Sequence, residues 1–251
     1  MTNDKEQTTT WRFIPLLNAP GKVQMQIDRY LQRTQRKGDR VPTLRFYTWD
    51  TPAISLGYHQ RRYPEFWHEL SWQGKPIDIV RRPTGGRAVL HQGDLTYMLV
   101  TSELANLRRA IAYETICHFL IQGWRSLGLK LHYGQAGRGY IHHPSCFSTA
   151  TAADLVTERG EKLIGSAQVR RDGVLLQHGS MRLSRDSTLF EQVFGSAIAP
   201  VQLPLSSTGD ELVQTVVEAM IQAARDYFKI ELAIAPLSEA EWAEIHLQPP
   251  L

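Results

Sequence analysis

The stretch Pro144–Leu183 reads PSCFSTATAADLVTERGEKLIGSAQVRRDGVLLQHGSMRL, and the fold is decided there. Asp172-Gly173 between two apolar runs is a strong two-residue hairpin signal. Glu158-Arg159-Gly160-Glu161 reads as a longer hairpin loop. Together they predict a three-stranded meander that returns Lys162 toward the start of the segment, where Cys146 sits. With an ideal turn, Arg171 pairs with Val174 and Ser166 faces Gly179, unless a bulge shifts the register. Cys146 lies among Pro144, Ser145, Ser148 and Thr149, a small polar setting unlike that of a packing cysteine. A cation near such a thiol favours the thiolate, the nucleophilic form. Ser166, Gln168, Gln177, His178 and Ser180 interrupt apolar strands, which is costly unless they are satisfied and so marks a site. The competing readings are a solvated strand-end Lys162 and a His178 that merely hydrogen-bonds within the sheet.

Upstream, Asn18 is placed to cap a helix from about Lys22 to Gln35, with Val23, Ile27, Tyr30 and Leu31 on one face. Strands follow at Leu44–Trp49 and Ala53–Gly57, then a short helix at Glu65–Leu70 after Pro64. Ile77–Val80 reads as a strand that delivers Arg81 and Arg82 into the loop Pro83-Thr84-Gly85-Gly86-Arg87. Ala88–His91 and the apolar Leu95–Thr101 come next. Paired glycines let backbone approach a ligand or adopt positive φ, although such a loop is most often only a turn. The longest helix spans Leu107–Leu127, with Ala112, Ile116, Phe119, Leu120, Gly123 and Leu127 as its buried stripe and Cys117 an inert thiol beside it. Leu129–Tyr133 resembles a strand, and Gln135–His143 is a Gly-rich polar loop. Downstream of the meander, Thr208–Glu211 and Ser238–Glu241 are capping-box patterns that open two more helices.

The chain has 251 residues, 42% apolar and 21% charged, the profile of one soluble globular domain over 11–251 behind a flexible tail, 1–10. There is no apolar run long enough to span a membrane, and the polar N-terminus lacks the apolar core of a secretory signal. Two cysteines fit a reducing compartment, so a cytoplasmic enzyme is expected. His142-His143 with Cys146 lack a second zinc-like ligand group, so no metal is expected. The net charge of +3 is small, but Arg61-Arg62, Arg81-Arg82, Arg108-Arg109 and Arg170-Arg171 come in pairs. They read either as a solvated surface or as a dock for an acidic partner. No nucleic-acid-binding signature accompanies them.

Four stretches resemble the lipoate–protein ligase and octanoyltransferase family, whose fold is shared with biotin protein ligases. They are LRFYTWDTPAISLGYHQ (Leu44–Gln60), RRPTGGRAVLH (Arg81–His91), CFSTATAADL (Cys146–Leu155) and KLIGSAQVRRDGVLLQHGS (Lys162–Ser180). The resemblance implies an α+β fold, mixed and antiparallel sheets packed with helices, as a class II biotin/lipoyl synthetase-like catalytic domain. The Cys-Phe ahead of the lysine hairpin is similar to the cysteine-dependent octanoyltransferase branch. Gly85-Gly86-Arg87 departs from the ligases' three glycines, and little chain remains for the ligases' accessory C-terminal domain. Ala153-Asp154 departs in the other direction, since octanoyltransferases tend to carry an aromatic-glutamate pair there.

The resemblance implies transfer of an octanoyl group from octanoyl-acyl carrier protein to a lysine of a lipoyl carrier domain. That domain would be glycine-cleavage H protein or the E2 component of a 2-oxoacid dehydrogenase. Cys146 and Lys162 are then catalytic. Substrate binding falls to Arg82, Thr84, Gly85, Gly86, His91, Gly165, Ser166, Ala167, Gln168, His178 and Gly179. A thioester donor is already activated, so no cofactor is implied. The alternatives are an ATP-dependent lipoate ligase, an amidotransferase between carrier domains, and a non-catalytic acyl-binding module.

Overall fold

The computed structural model describes residues 9–35, 41–134 and 153–249. Cys146, the Gly-rich loop at 135–143 and the His142-His143 pair lie outside the described residues. In chain order the elements begin with β1 (Thr9–Ala19), α1 (Gly21–Gln35), β2 (Thr43–Trp49) and β3 (Ala53–Leu56). A 3-10 turn at Glu65–Glu69 precedes β4 (Ser71–Trp72), β5 (Lys75–Pro76), β6 (Asp78–Arg81), β7 (Val89–His91) and β8 (Asp94–Thr101). Then come α2 (Arg109–Ser126), β9 (Leu131–Tyr133), β10 (Leu155–Thr157), β11 (Lys162–Arg171) and β12 (Val174–Arg182). The chain closes with α3 (Ser187–Phe194), α4 (Gly209–Phe228), β13 (Ile230–Ile234) and α5 (Glu239–His246).

Eight strands form one sheet in the order β13-β1-β2-β8-β12-β11-β10-β9. β1 pairs in parallel with both β13 and β2, and the pairs from β2 through β8, β12, β11 and β10 to β9 are antiparallel. A second sheet, β6-β3-β7, mixes parallel and antiparallel pairing. The expected α+β architecture is therefore present.

The meander closes as the Asp-Gly turn predicts. Asp172 and Gly173 take φ of 49° and 73°, the two positive values that a type I′ turn needs. Arg171 pairs with Val174 and Ser166 with Gly179, so the ideal register holds along β11–β12. The bulge occurs instead between β10 and β11, where Leu155 faces Ile164 but Val156 faces Lys162.

Alternation across the large sheet separates two environments. Leu44, Phe46, Tyr97, Leu99 and Leu175 join the core under α2 and α4. There Gly123 lets the two helices approach, since a Cβ at that position would lie 2.6 Å from Met220 Sδ. Tyr47, Met98, Val100, Val174 and Leu176 join the core under α1. On that α1 face β2, β8 and β12 also carry Arg45, Asp94, Thr96, His178 and Ser180, all buried. Polar groups gathered on the buried face of central strands locate the site.

Several expectations need correction. The strand β1 starts at Thr9, paired with Ile230, so Thr9 and Thr10 belong to the sheet. The Thr-rich start concealed this strand, and Pro15, which has no N–H to give, marks the register shift between Ile14 and Leu17. Asn18 belongs to β1 and does not cap α1; its Oδ1 accepts from Thr48 Oγ1 at 3.0 Å. Thr208 forms no side-chain cap, because Gly209 follows at φ 56°, outside the right-handed helical region. The Ser238–Glu241 capping box does form. Its Glu241 also accepts two hydrogen bonds from Arg12, tying α5 to β1. The unexpected α3 carried a legible signal: Asp186 caps Leu189 N at 2.8 Å, Leu189, Phe190, Val193 and Phe194 are buried, and Gly195 closes it at φ 70°.

Candidate active site

A narrow slot of about 40 Å³, as the space open to the centre of a water molecule, lies between the two sheets. Gly165, Ala167, His178 and Ser180 of the large sheet line it, with Ser55, Val89 and His91 of the small one. Met25 of α1 and Arg82 complete the walls. Of the expected substrate-binding residues, Arg82, His91, Gly165, Ser166, Ala167, His178 and Gly179 thus converge on one cavity. Thr84 joins them through His178. Gly85 and Gln168 instead line a second, wider groove.

Two hydroxyl–imidazole–carboxylate chains face this slot. In the first, Thr84 Oγ1 lies 2.7 Å from His178 Nε2, and His178 Nδ1 lies 2.8 Å from Asp28 Oδ2. Asp28 also accepts from Arg45 Nη2 at 2.6 Å and from the Tyr47 hydroxyl at 3.1 Å. Burial pushes the Asp28 carboxyl up, but the Arg45 guanidinium and the His178 hydrogen bond outweigh it and hold the group below the ordinary value. Burial and the Asp28 charge push the Tyr47 phenol far up, so it stays protonated and donates.

In the second chain, Ser55 Oγ lies 2.8 Å from His91 Nε2, and His91 Nδ1 lies 2.9 Å from Asp94 Oδ2. Ser180 Oγ donates to the same oxygen at 2.6 Å. Trp49 stacks on the His91 ring at 3.8 Å. The carboxylate assigns the proton to Nδ1, leaving Nε2 to accept from Ser55. Ser55 and Thr84 are 1% and 0% exposed, so these hydroxyls stiffen the walls and do not present a nucleophile to solvent.

Burial pushes His91 below the ordinary histidine value, with the Asp94 charge opposing. Over a range below about pH 6.5 the unfolded chain therefore binds a proton here that the folded chain does not. The stability this residue contributes is complete above that pH and is lost as pH falls through the folded value. Asp28 and Asp94, both lowered, act with the same sign but only below about pH 4. Calorimetry should show a larger drop in melting temperature between about pH 7.5 and about pH 5.5 for the wild type than for His91→Gln. Equal drops would remove His91 as the cause.

The glycine loop is fastened from behind. Arg82 donates to the carbonyls of Ser55, Gly85 and Arg87 at 2.7, 2.8 and 2.7 Å. It therefore shapes the loop as well as lining the slot. Gly86 takes φ 100°, and its carbonyl packs on Gly57 so tightly that no side chain fits there. Gly179 is equally constrained: an added Cβ would collide with Ser166 Oγ and lie 2.6 Å from the Tyr97 ring. Gly179→Ala is expected to cost about 1–3 kcal/mol in urea unfolding, the usual penalty of an overpacked site.

Lys162 opens β11 three residues before Gly165. Its Nζ lies 2.9 Å from Asp154 Oδ1, with both side chains buried. The reading as a solvated lysine is thereby excluded, and Asp154 emerges as the partner that sequence reasoning did not assign. The polar strand residues are satisfied too: Tyr97 donates to Ser166, and Gln177 donates to Tyr97. Gln168 donates to Gln177, and His178 and Ser180 reach Asp28 and Asp94. Asp28, Arg45 and Asp94 were the other unassigned members. Asp28 had a signal, a carboxylate four residues after Gln24 on the apolar face of α1.

A mixed α+β frame with a slot between its sheets, walled by the lysine strand and by Arg82, which fastens the glycine loop, defines the class. The chain belongs to the lipoyl protein ligase A/B catalytic domain family, which it matches over residues 20–229. It is 37% identical to the octanoyltransferase LipM of Kyrpidia tusciae, across 91% of this chain and 81% of that one. The LipM of Halalkalibacterium halodurans is 33% identical across 94% and 93%. The LipM of Bacillus subtilis is 36% identical across 75% and 70%. The fold also matches a lipoate-protein ligase A solved with ATP, at TM-score 0.76 and 22% identity, covering 95% of this chain and 93% of that one. A bi-partite lipoate protein ligase of Thermoplasma acidophilum matches at TM-score 0.74 and 22% identity, covering 95% and 91%. Among the described residues no helix is long and apolar enough to cross a membrane.

Proposed function

We propose that this acyltransferase moves an octanoyl group from octanoyl-acyl carrier protein to a lysine of a lipoyl carrier domain, such as glycine-cleavage H protein, through a thioester on Cys146. The observation that carries the reading is identity of 33–37% over most of the chain to relatives named octanoyltransferase. The buried Lys162, on the strand whose Gly165 and Ala167 line the slot, supports it.

In the first half-reaction the Cys146 thiolate attacks the thioester carbonyl. The bond to the carrier's sulfur breaks, that sulfur leaves as a thiolate, and the octanoyl group stays on Cys146. In the second, the acceptor amine attacks the new thioester, an amide forms, the amine loses its proton, and Cys146 leaves as a thiolate. A free thiol titrates near 8.5 and is only a few per cent thiolate at neutral pH. An ammonium that lowers this by one unit contributes about 1.4 kcal/mol toward the charged form. Lys162 is the group assigned that task, with Asp154 holding it in place. The slot takes the acyl chain, whose burial is worth about 0.8 kcal/mol per methylene.

Intact mass spectrometry tests this. Mixing the chain with octanoyl-acyl carrier protein should add one octanoyl group, removed by hydroxylamine. Acylation that requires ATP and free octanoate would instead identify a ligase.

A further inference from the structure

The second groove, about 510 Å³, has Arg29, Arg33, Arg109, Arg170 and Arg171 in its walls and no carboxylate in its lining. Gly85 and Gln168 border it, each the chain neighbour of a residue of the slot region, Thr84 and Ala167. Resting on the proposed thioester donor, we infer that this groove holds the phosphate of a phosphorylated pantetheine arm, the linker that would join the octanoyl sulfur to its carrier.

Three observations point to an anion. Arg170 donates through Nε to Gln168 and through Nη1 to Ala105 O, while its buried Nη2 has no partner among the described residues. The first turn of α2, where Arg109 stands, has no acidic residue and no side-chain cap, so its amides remain available to a negative ligand. Arg29 and Arg33 lie close enough that, after burial, the charge of Arg33 is what most depresses Arg29. Arg33 reaches the exposed Glu244 at 3.4 Å, and a phosphate oxygen relieves the remaining repulsion among the guanidinium groups with charge-assisted hydrogen bonds. A phosphate can reach the groove either on the arm of the thioester donor or on a nucleotide, and the proposed thioester donor, already activated without a nucleotide, favours the arm.

Transfer from S-octanoyl-4′-phosphopantetheine is compared with transfer from S-octanoyl-pantetheine, which lacks the phosphate. For the wild type, kcat/KM should be about tenfold or more higher with the phosphorylated donor, as expected for charge-assisted contacts of roughly 1.4 kcal/mol or more. In Arg109→Glu/Arg171→Glu that ratio should fall to about one. Should the double variant not fold, free 4′-phosphopantetheine still serves: it should inhibit wild-type transfer from octanoyl-acyl carrier protein, and pantetheine should not. Equal efficiency with both donors, or a ratio that survives in the double variant, overturns the inference. So does acylation from ATP and octanoate that the double variant loses, which assigns the groove to a nucleotide. Failure of the wild type with every thioester is a different result, because it removes the proposed reaction itself.

Discussion

A Cys146→Ala chain mixed with octanoyl-acyl carrier protein should gain no octanoyl mass and deliver nothing to a lipoyl domain. The expected loss is on the order of a thousandfold or more, because removing a covalent nucleophile removes the route itself. The experiment is unusually clean, since the chain has only two cysteines. Cys117 cannot substitute: it is fully buried in the core beneath α2, and burial pushes its thiol up to about 12. Its sulfur accepts a hydrogen bond from Gln177, the role of a packing residue. Mild alkylation at neutral pH should therefore modify one site, Cys146, and block acylation in proportion. Octanoyl transfer that persists in Cys146→Ala would sink the covalent mechanism.

Lys162→Met should both abolish transfer and weaken the fold. The Lys162–Asp154 pair is buried at 3% and 6% side-chain exposure. Removing one partner leaves a carboxylate stranded away from water, which typically costs about 3–5 kcal/mol. Chemical denaturation measures that loss, and intact mass measures acylation. A double variant, Asp154→Leu/Lys162→Met, separates the two effects. Replacing both charges with apolar groups is often neutral, so much of the stability should return while acylation stays absent. Recovery of acylation together with stability would reduce Lys162 to a structural residue.

Much of this fold was legible because its signals are local. The Asp172-Gly173 turn set the β11–β12 register residue by residue, since two positive φ values in a two-residue loop leave one pairing. Helix α2 was legible from its spacing, and Ser238–Glu241 from its capping chemistry. Strand β1 was not, because its partners β13 and β2 are far along the chain and a threonine-rich start resembles a tail. At the site, the motifs held Arg82, His91, Gly165, Ser166, Ala167, His178 and Gly179, which line one slot. Their partners were out of reach: Asp28 lies 150 residues from His178, and Asp94 lies 86 residues from Ser180.

The amino-acid order alone determined the turns, the helical faces and the family, since each rests on neighbours within a few residues or on a contiguous motif. Only the tertiary structure decided that two imidazoles would each be braced by a buried carboxylate, that Lys162 would pair with Asp154, and that five arginines would border one groove. Those facts depend on which distant side chains share a desolvated space. In that space the cost of leaving a charge unpartnered selects the arrangement.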